Sequence, residues 1–573
     1  MNEPRRQTSD VLLMCEEAQY SYSQEAAPRS FNPTVSTNTM TVSTLTDTQI
    51  GSSHIGDYLK PEDGLAKDQA RQIKSRASTV ATVDTPWTAT TSVTAVRAFL
   101  PADVPVRATG SGSTTTVAST AHASITNEPG TGSGTTYSTN ASGATGGDYW
   151  VGKGYHLLGA GGPNAGKAGK VTGFNTTGGV FSTGVTLTST VADELFWLRK
   201  RIRPEGPPTV NVTRKSVPRT IVGFGDAVQA VGISYDASAA FELPVRGVPT
   251  AAGNATVAVP PVELSDLLSS VFTVNNDTGD KTALAAPASE PTLNVQSGGT
   301  RLTVGGFLLL PTGEAAQIRA ISGTALTLGL LHMTAANIPA NTVVYASTHY
   351  KRKATDFRTF TIDYFRGGLF RQVLHGCLPT LTMTITRDQV VRFAWNYTAA
   401  EAVEYTLTTP VAPGATLPMT IIDTTVPFDG KAARCLLNGT QVLLHDLTIN
   451  FGFKPVAQQA LAGMNQQKMA MTLEPIGGSF TILADEDDRA SFEDIVDLMA
   501  RSGQSVVDFL YQKGASAGNT FALAIPALQI AESPQSYKDG TGIYTAAFHA
   551  VLPQTVPGNT YDAALPALSM GFL

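Results

Sequence analysis

The chain has 573 residues, among them 53 Gly and 33 Pro, a density of helix breakers that excludes long helical bundles. Only 15% of residues are charged while 42% are hydrophobic, which excludes wholesale disorder and suffices for roughly three or four packed units. The net charge of −6 at pH 7 excludes a generally basic surface built to grip nucleic acid.

Three cysteines, Cys15, Cys377 and Cys435, supply neither a disulfide framework nor a zinc site, and they point to reduced synthesis in the cytosol. At the N-terminus Val11 to Cys15 is apolar but too short for a signal peptide. No run approaches ~18 apolar residues, so no membrane span is expected.

In chain order, Met40 to Leu45 alternates apolar and hydroxyl side chains and reads as a strand. From Thr109 to Gly147 the one charged residue is Glu128, and the rest is dominated by Ser, Thr, Gly and Ala. This is the composition of a linker or of a small Thr-rich β decoration. The basic stretch Arg199 to Arg203 reads as a solvated strand edge or a salt-bridge face.

Pro260-Pro261 followed by Leu264, Leu267, Leu268 and Val271 has the spacing of a short amphipathic helix behind an N-terminal proline. Val295 to Tyr350 has the rhythm of a small β-barrel, with runs at 302–310, 316–321 and 326–331 separated by glycine turns. Beyond it the alternation is clearest. Phe360, Ile362 and Tyr364 alternate with Thr359, Thr361 and Asp363; Leu381, Met383 and Ile385 with Thr382, Thr384 and Thr386; Val391, Phe393, Trp395 and Tyr397 with Arg392, Ala394 and Asn396. Each such strand is expected to have one core face. A covering helix at 492–502 is expected behind Ser491, with Phe492, Ile495, Val496 and Met499 on one stripe.

The resulting fold class is mainly β: an antiparallel β-sandwich or barrel core with one covering α-helix and inserted small β modules. The expected divisions are 1–97 (N-terminal arm and first core strands), 98–203 (Ser/Thr/Gly-rich insertion or decoration), 204–290 (core strands and short helix), 291–352 (small barrel) and 353–573 (C-terminal sandwich).

The search for chemistry is negative. Gly161 to Ala168 nearly matches a phosphate-binding loop, but Ala168 lacks the metal-binding hydroxyl, and the Gly-rich sequence behind it favours a turn. Eight scattered histidines show no ligand spacing. His375-Gly376-Cys377 reads as a packed turn, and Asp485 to Asp488 as an exposed acidic loop ahead of a helix. No catalytic residue, cofactor site or metal site is expected.

The order Phe357–Tyr364, Leu374–Leu378, Leu381–Ile385, Val391–Tyr397, Leu447–Phe453, the 492–501 helix, 514–525 and Asp539–Ile543 resembles the core of the tail tube proteins of long-tailed bacteriophages. The likeness covers half to two-thirds of the chain and rests on order and pattern, since that family has no invariant motif. It implies a virion structural protein, made in the host cytoplasm, that forms hexameric rings stacked into a tail tube for DNA ejection. Its partners would be further copies of itself, the tape measure, tail terminator and distal tail proteins, and genomic DNA passing through without specific binding; no membrane is involved.

Under this resemblance a long hairpin lines the lumen, with Thr382, Thr384, Thr386, Asp388 and Asn396 facing it. Arg387 and Arg392 pair with acids across a ring interface. The N-terminal arm before Asn32 gains order only on assembly, and Met570, Phe572 and Leu573 dock on a neighbouring subunit. Two other classes fit less well: a glycan-binding or glycan-cleaving tail fibre or tailspike, which calls for repetitive strands or a carboxylate-lined groove, and a secretion-tube subunit of a bacterial injection machine.

Overall fold

The computed structural model describes separate strands between residues 11 and 183, and then residues 192–220, 227–252, 255–260, 262–283, 288–289, 292–297, 301–329, 338–355, 357–366, 370–406, 427–429, 434–459, 467–483, 506–532, 535–538, 541–553 and 564–573. The protein is mainly β, with antiparallel sheets throughout. The expected helix at 492–502, with Phe492, Ile495, Val496 and Met499, and the acidic run 485–488 lie outside the described residues.

Along the chain the body is built from β1 (Val11–Gln19), β2 (Tyr155–Gly159), β3 (Ala192–Ile202), β4 (Thr209–Thr220), β5 (Ala227–Pro244), α1 (Val262–Val271), β6 (Phe272–Asn276), β7 (Thr348–Arg352), β8 (Phe360–Arg366), β9 (Phe370–Thr386), β10 (Arg392–Ala399) and β11 (Glu401–Thr406). It continues with β12 (Arg434–Leu437), β13 (Leu444–Asn450), β14 (Gly477–Leu483), β15 (Val507–Lys513), β16 (Phe521–Glu532), β17 (Gln535–Lys538), β18 (Thr541–Ala550) and β19 (Ser569–Phe572).

One sheet runs β2, β3, β1, β8, the first half of β9, then β11. A second runs β4, β5, β10, the second half of β9, β13, β14, β18, and continues through β16 to β15 and β19. β9 belongs to both because it bends. Cys377 faces Phe360 but Leu374 faces Ile362, so β9 carries one extra residue there. Gly376, with φ +64°, takes a backbone shape that side chains disfavour. The sequence His375-Gly376-Cys377 is therefore a bulge in a strand.

The second sheet wraps one large core. Phe393, Trp395 and Tyr397 from β10, Leu381, Met383 and Ile385 from β9, and Leu447, Ile449, Phe480 and Ile482 from β13 and β14 are all buried. They meet Phe272, Tyr350, Phe509, Phe521 and Phe572 from the opposing strands, with Phe272 edge-on to Phe451 and Phe480 stacked on Phe509. Helix α1 closes one side with Leu264, Leu267, Leu268 and Val271, the four residues whose spacing marks it in the sequence. The Lys353 ammonium donates to the Ser269 carbonyl at 2.7 Å, meeting the negative helix end.

Several expectations change. Of the N-terminal arm, residues 11–19 are built into the molecule, because β1 lies between β3 and β8 with Leu12, Leu13 and Met14 buried. The apolar tail is likewise part of its own chain's core. β19 pairs with β7 and β16, and Met570, Phe572 and Leu573 are fully buried. An apolar strand that completes an intramolecular sheet has no surface left to offer a neighbour. The alternation in β8 predicts one core face, yet Thr361 and Asp363 on its other face are also buried, with Asp363 paired to Arg199 of the basic stretch.

The small module exists with shifted bounds. Seven strands from Asp280–Lys281 to Val343–Ala346 enclose a separate core of Leu293, Leu308, Ile318, Leu326, Val344 and neighbours, whereas Thr348–Arg352 belongs to the main sheet. The module packs on the outside of β15, β16 and β12, through Phe307 and Leu309 against Leu436, Leu510, Ala522 and Ala524. At this contact Gly571 faces Phe307: a Cβ there would lie 2.4 Å from Phe307 Cδ2. Further upstream, the strand Ala95–Pro101 pairs with Tyr22–Ser30 and so runs across the boundary expected at residue 97. Of 109–147, the described residues are Thr109, which ends the strand Val106–Thr109, and the strand Thr116–Ala118. Ala168 opens a strand, Ala168–Asn175, where a phosphate-binding loop requires a helix.

Candidate functional site

The apolar residues of β9 and β10 alternate with polar ones, so burying one side of the sheet fixes the chemistry of the other. Residues directly opposite in an antiparallel pair project to the same side. Thr380 faces Asn396, Thr382 faces Ala394, and Thr384 faces Arg392. Across the other edge of β9, Thr382 faces Asn450, Thr384 faces Thr448, and Thr386 faces Asp446.

The same side continues outward. Asn396 faces Ala240 of β5, which faces Thr209 of β4. Thr448 faces Ser479 of β14, and Asp446 faces Thr481, which faces Thr545 of β18. The Thr481 and Thr545 hydroxyls stand 3.2 Å apart, and Thr380 Oγ1 donates to the Asn396 carbonyl at 3.2 Å. The result is a broad, largely part-exposed face of hydroxyls, amides and small side chains, with Arg392 and Asp446 as charged members, on a rigid aromatic backing.

The expected lumen residues Thr382, Thr384, Thr386 and Asn396 thus share one face. Asp388 and Arg387 sit exposed at the turn between β9 and β10, at its rim, where the Arg387 N–H donates to the His445 carbonyl at 3.0 Å. Arg392 is corrected: its Nε lies 2.8 Å from Glu205 Oε2 and its Nη1 3.6 Å from Glu242 Oε2, all in one chain. The loop between β3 and β4 brings Glu205 within reach, which removes the need for an acid from a neighbour.

Sequence reasoning missed Glu205 and Glu242 because they lie far from Arg392 along the chain and carry no motif. It missed the contribution of Ser479, Thr481 and Thr545 because the sheet order is set by tertiary pairing. Among the described residues no three His, Cys, Asp or Glu side chains lie together as a metal site, and no helix is long and apolar enough to cross a membrane.

A second polar cluster is buried where the module joins the body. Asp277 accepts from the Thr303 N–H at 3.2 Å and the Thr303 hydroxyl at 2.9 Å. His349 Nε2 lies 3.1 Å from Asn275 Nδ2, while its Nδ1 stands 3.5 Å from Asp277 Oδ2, beyond a normal hydrogen bond. Burial pushes the Asp277 carboxyl up to about 6 despite those hydrogen bonds. Burial, with help from Lys351, lowers the His349 imidazole to about 4. Burial from solvent makes this a structural joint rather than a substrate site.

A comparison with protein-family models finds no match, and neither does a comparison with curated proteins.

Proposed function

We propose that the protein is a self-assembling subunit of a bacteriophage tail tube, whose hexameric rings stack into a conduit for DNA on its way into the host. The observation that carries this reading is the one-sided sheet. Its core side is aromatic and tightly packed, and its open side offers hydroxyls and amides with little net positive charge, a surface along which a polyanion slides without being retained.

The sheet edges support the same reading. From β4 to β17, through β5, β10, β9, β13, β14 and β18, eight strands alternate in direction. Among the described residues β4 pairs only with β5, and β17 only with β18. With an even number of strands, a copy related by rotation about an axis along the strands presents its β4 antiparallel to β17. Closing the edges this way would satisfy main-chain groups that otherwise invite irregular aggregation. Tape measure, terminator and distal tail proteins would then be its partners in a virion tail.

Mass photometry and negative-stain microscopy of the purified protein test this. Uniform rings or tubes are expected. A protein that stays monomeric at high concentration overturns the proposal.

A further inference from the structure

Arg392 is the one Lys or Arg among the residues of the hydroxyl face whose side chains are described, and it does not stand alone. Glu205 and Glu242 hold two sides of its guanidinium at 2.8 and 3.6 Å, with side chains 35%, 33% and 54% exposed for Arg392, Glu205 and Glu242. The placement is built by the backbone, since the Glu205 N–H donates to the Glu242 carbonyl at 3.0 Å. That bond fixes the loop between β3 and β4 over the end of β5, beside Arg392.

We propose that Glu205 and Glu242 are a counter-ion pair for Arg392, which keeps this face from capturing the phosphates of a passing nucleic acid. The inference rests on the conduit reading. A half-exposed arginine on a polar sheet is a ready phosphate contact, because its planar fork matches phosphate oxygens. Two carboxylates against it turn a local charge of +1 into −1. Rings and stacked rings would repeat the triad many times, so even a weak contact per copy would add up to retention. The arginine in turn ties the loop between β3 and β4 to the β9–β10 hairpin.

The test is binding of a short fluorescent DNA duplex to the full-length protein and to Glu205→Gln/Glu242→Gln, at about 50 mM and about 200 mM salt. The double variant is expected to bind about tenfold more tightly at the lower salt, with the gain lost at the higher salt and on adding Arg392→Gln. Circular dichroism confirms folding; should the double variant misfold, each single Glu→Gln variant is expected to show part of the gain. Equally weak binding by all of these proteins overturns this inference and leaves the conduit reading standing. Tight binding by the unaltered protein that Arg392→Gln abolishes overturns both.

Discussion

Arg199 Nε lies 2.5 Å from Asp363 Oδ2, with both side chains withdrawn from solvent. This pair joins β3 to β8 across β1, and it absorbs the first residue of the basic stretch. Lys200 is paired in turn with Asp266 of α1, so the first two residues of the stretch act as an internal clamp, while Arg201 and Arg203 stay part-exposed. Removing one partner strands a buried charge: Asp363→Ala is expected to cost about 3–5 kcal/mol in urea unfolding. Arg199→Met/Asp363→Leu should recover most of that loss, because the desolvation cost disappears with the charges. A double variant no more stable than Asp363→Ala would contradict this account of the pair.

The tail strand offers a second check. Phe572 is fully buried and packs on Phe521 and Tyr350, at centroid distances of 5.2 and 5.9 Å. Phe572→Ala should lower the stability of the isolated protein by about 3–5 kcal/mol. Were the tail a docking arm for a neighbour, the isolated protein would keep its stability and lose only assembly.

Asp277 and His349 titrate in opposite senses. The Asp277 carboxyl is raised from 3.8 to about 6, so its unfavourable ionised burial sets in as pH rises through 6 and is relieved below about 4. The His349 imidazole is lowered from 6.5 to about 4, so the stability it contributes is full above 6.5 and lost as pH falls through 4. Between pH 4 and 6 the native state holds its extra proton on Asp277 and the unfolded state holds its own on His349, and the two effects largely cancel. Asp277→Asn should expose the histidine alone, with stability falling toward acid by up to about 1.4 kcal/mol per pH unit. His349→Gln should show the reverse slope. Equal pH profiles for the two variants would be incompatible with this.

Tyr397 is fully buried, and its hydroxyl has no hydrogen-bond partner among the described residues. Burial accordingly drives its pKa far above the usual phenol value. Tyr397→Phe keeps the ring that stacks on Trp395 and Phe241 and removes the unsatisfied oxygen. Thermal unfolding should show stability unchanged or raised by about 1 kcal/mol. A loss above 2 kcal/mol would reveal a partner for that hydroxyl.

Much of this was readable in advance where a local period reports directly on burial. The Leu264 to Val271 spacing marks α1, and the strict alternation in Leu381–Thr386 and Val391–Tyr397 separates core from open face before any pairing is known. Long-range pairing was not readable. Nothing around Asp363 signals that Arg199, 164 residues away, covers it, so the alternation in β8 marks one core face where Thr361 and Asp363 on the other are buried too. The tail at 570–573 looked unsolvated and suggested an intermolecular partner, because a sequence cannot distinguish its own core from a neighbour's. For the open face, the strands were legible and the arrangement that places Thr448, Ser479 and Thr545 beside Thr384 was not.

The central claim is that the hydroxyl face of β9 and β10 lines the channel of a closed ring. Cryo-electron microscopy of the assembled protein tests it most directly. The account predicts a hollow ring with Thr382, Thr384, Thr386 and Asn396 on the inner wall and the 280–346 module on the outside. A ring with that face turned outward, or a protein that forms no ring at all, would contradict it.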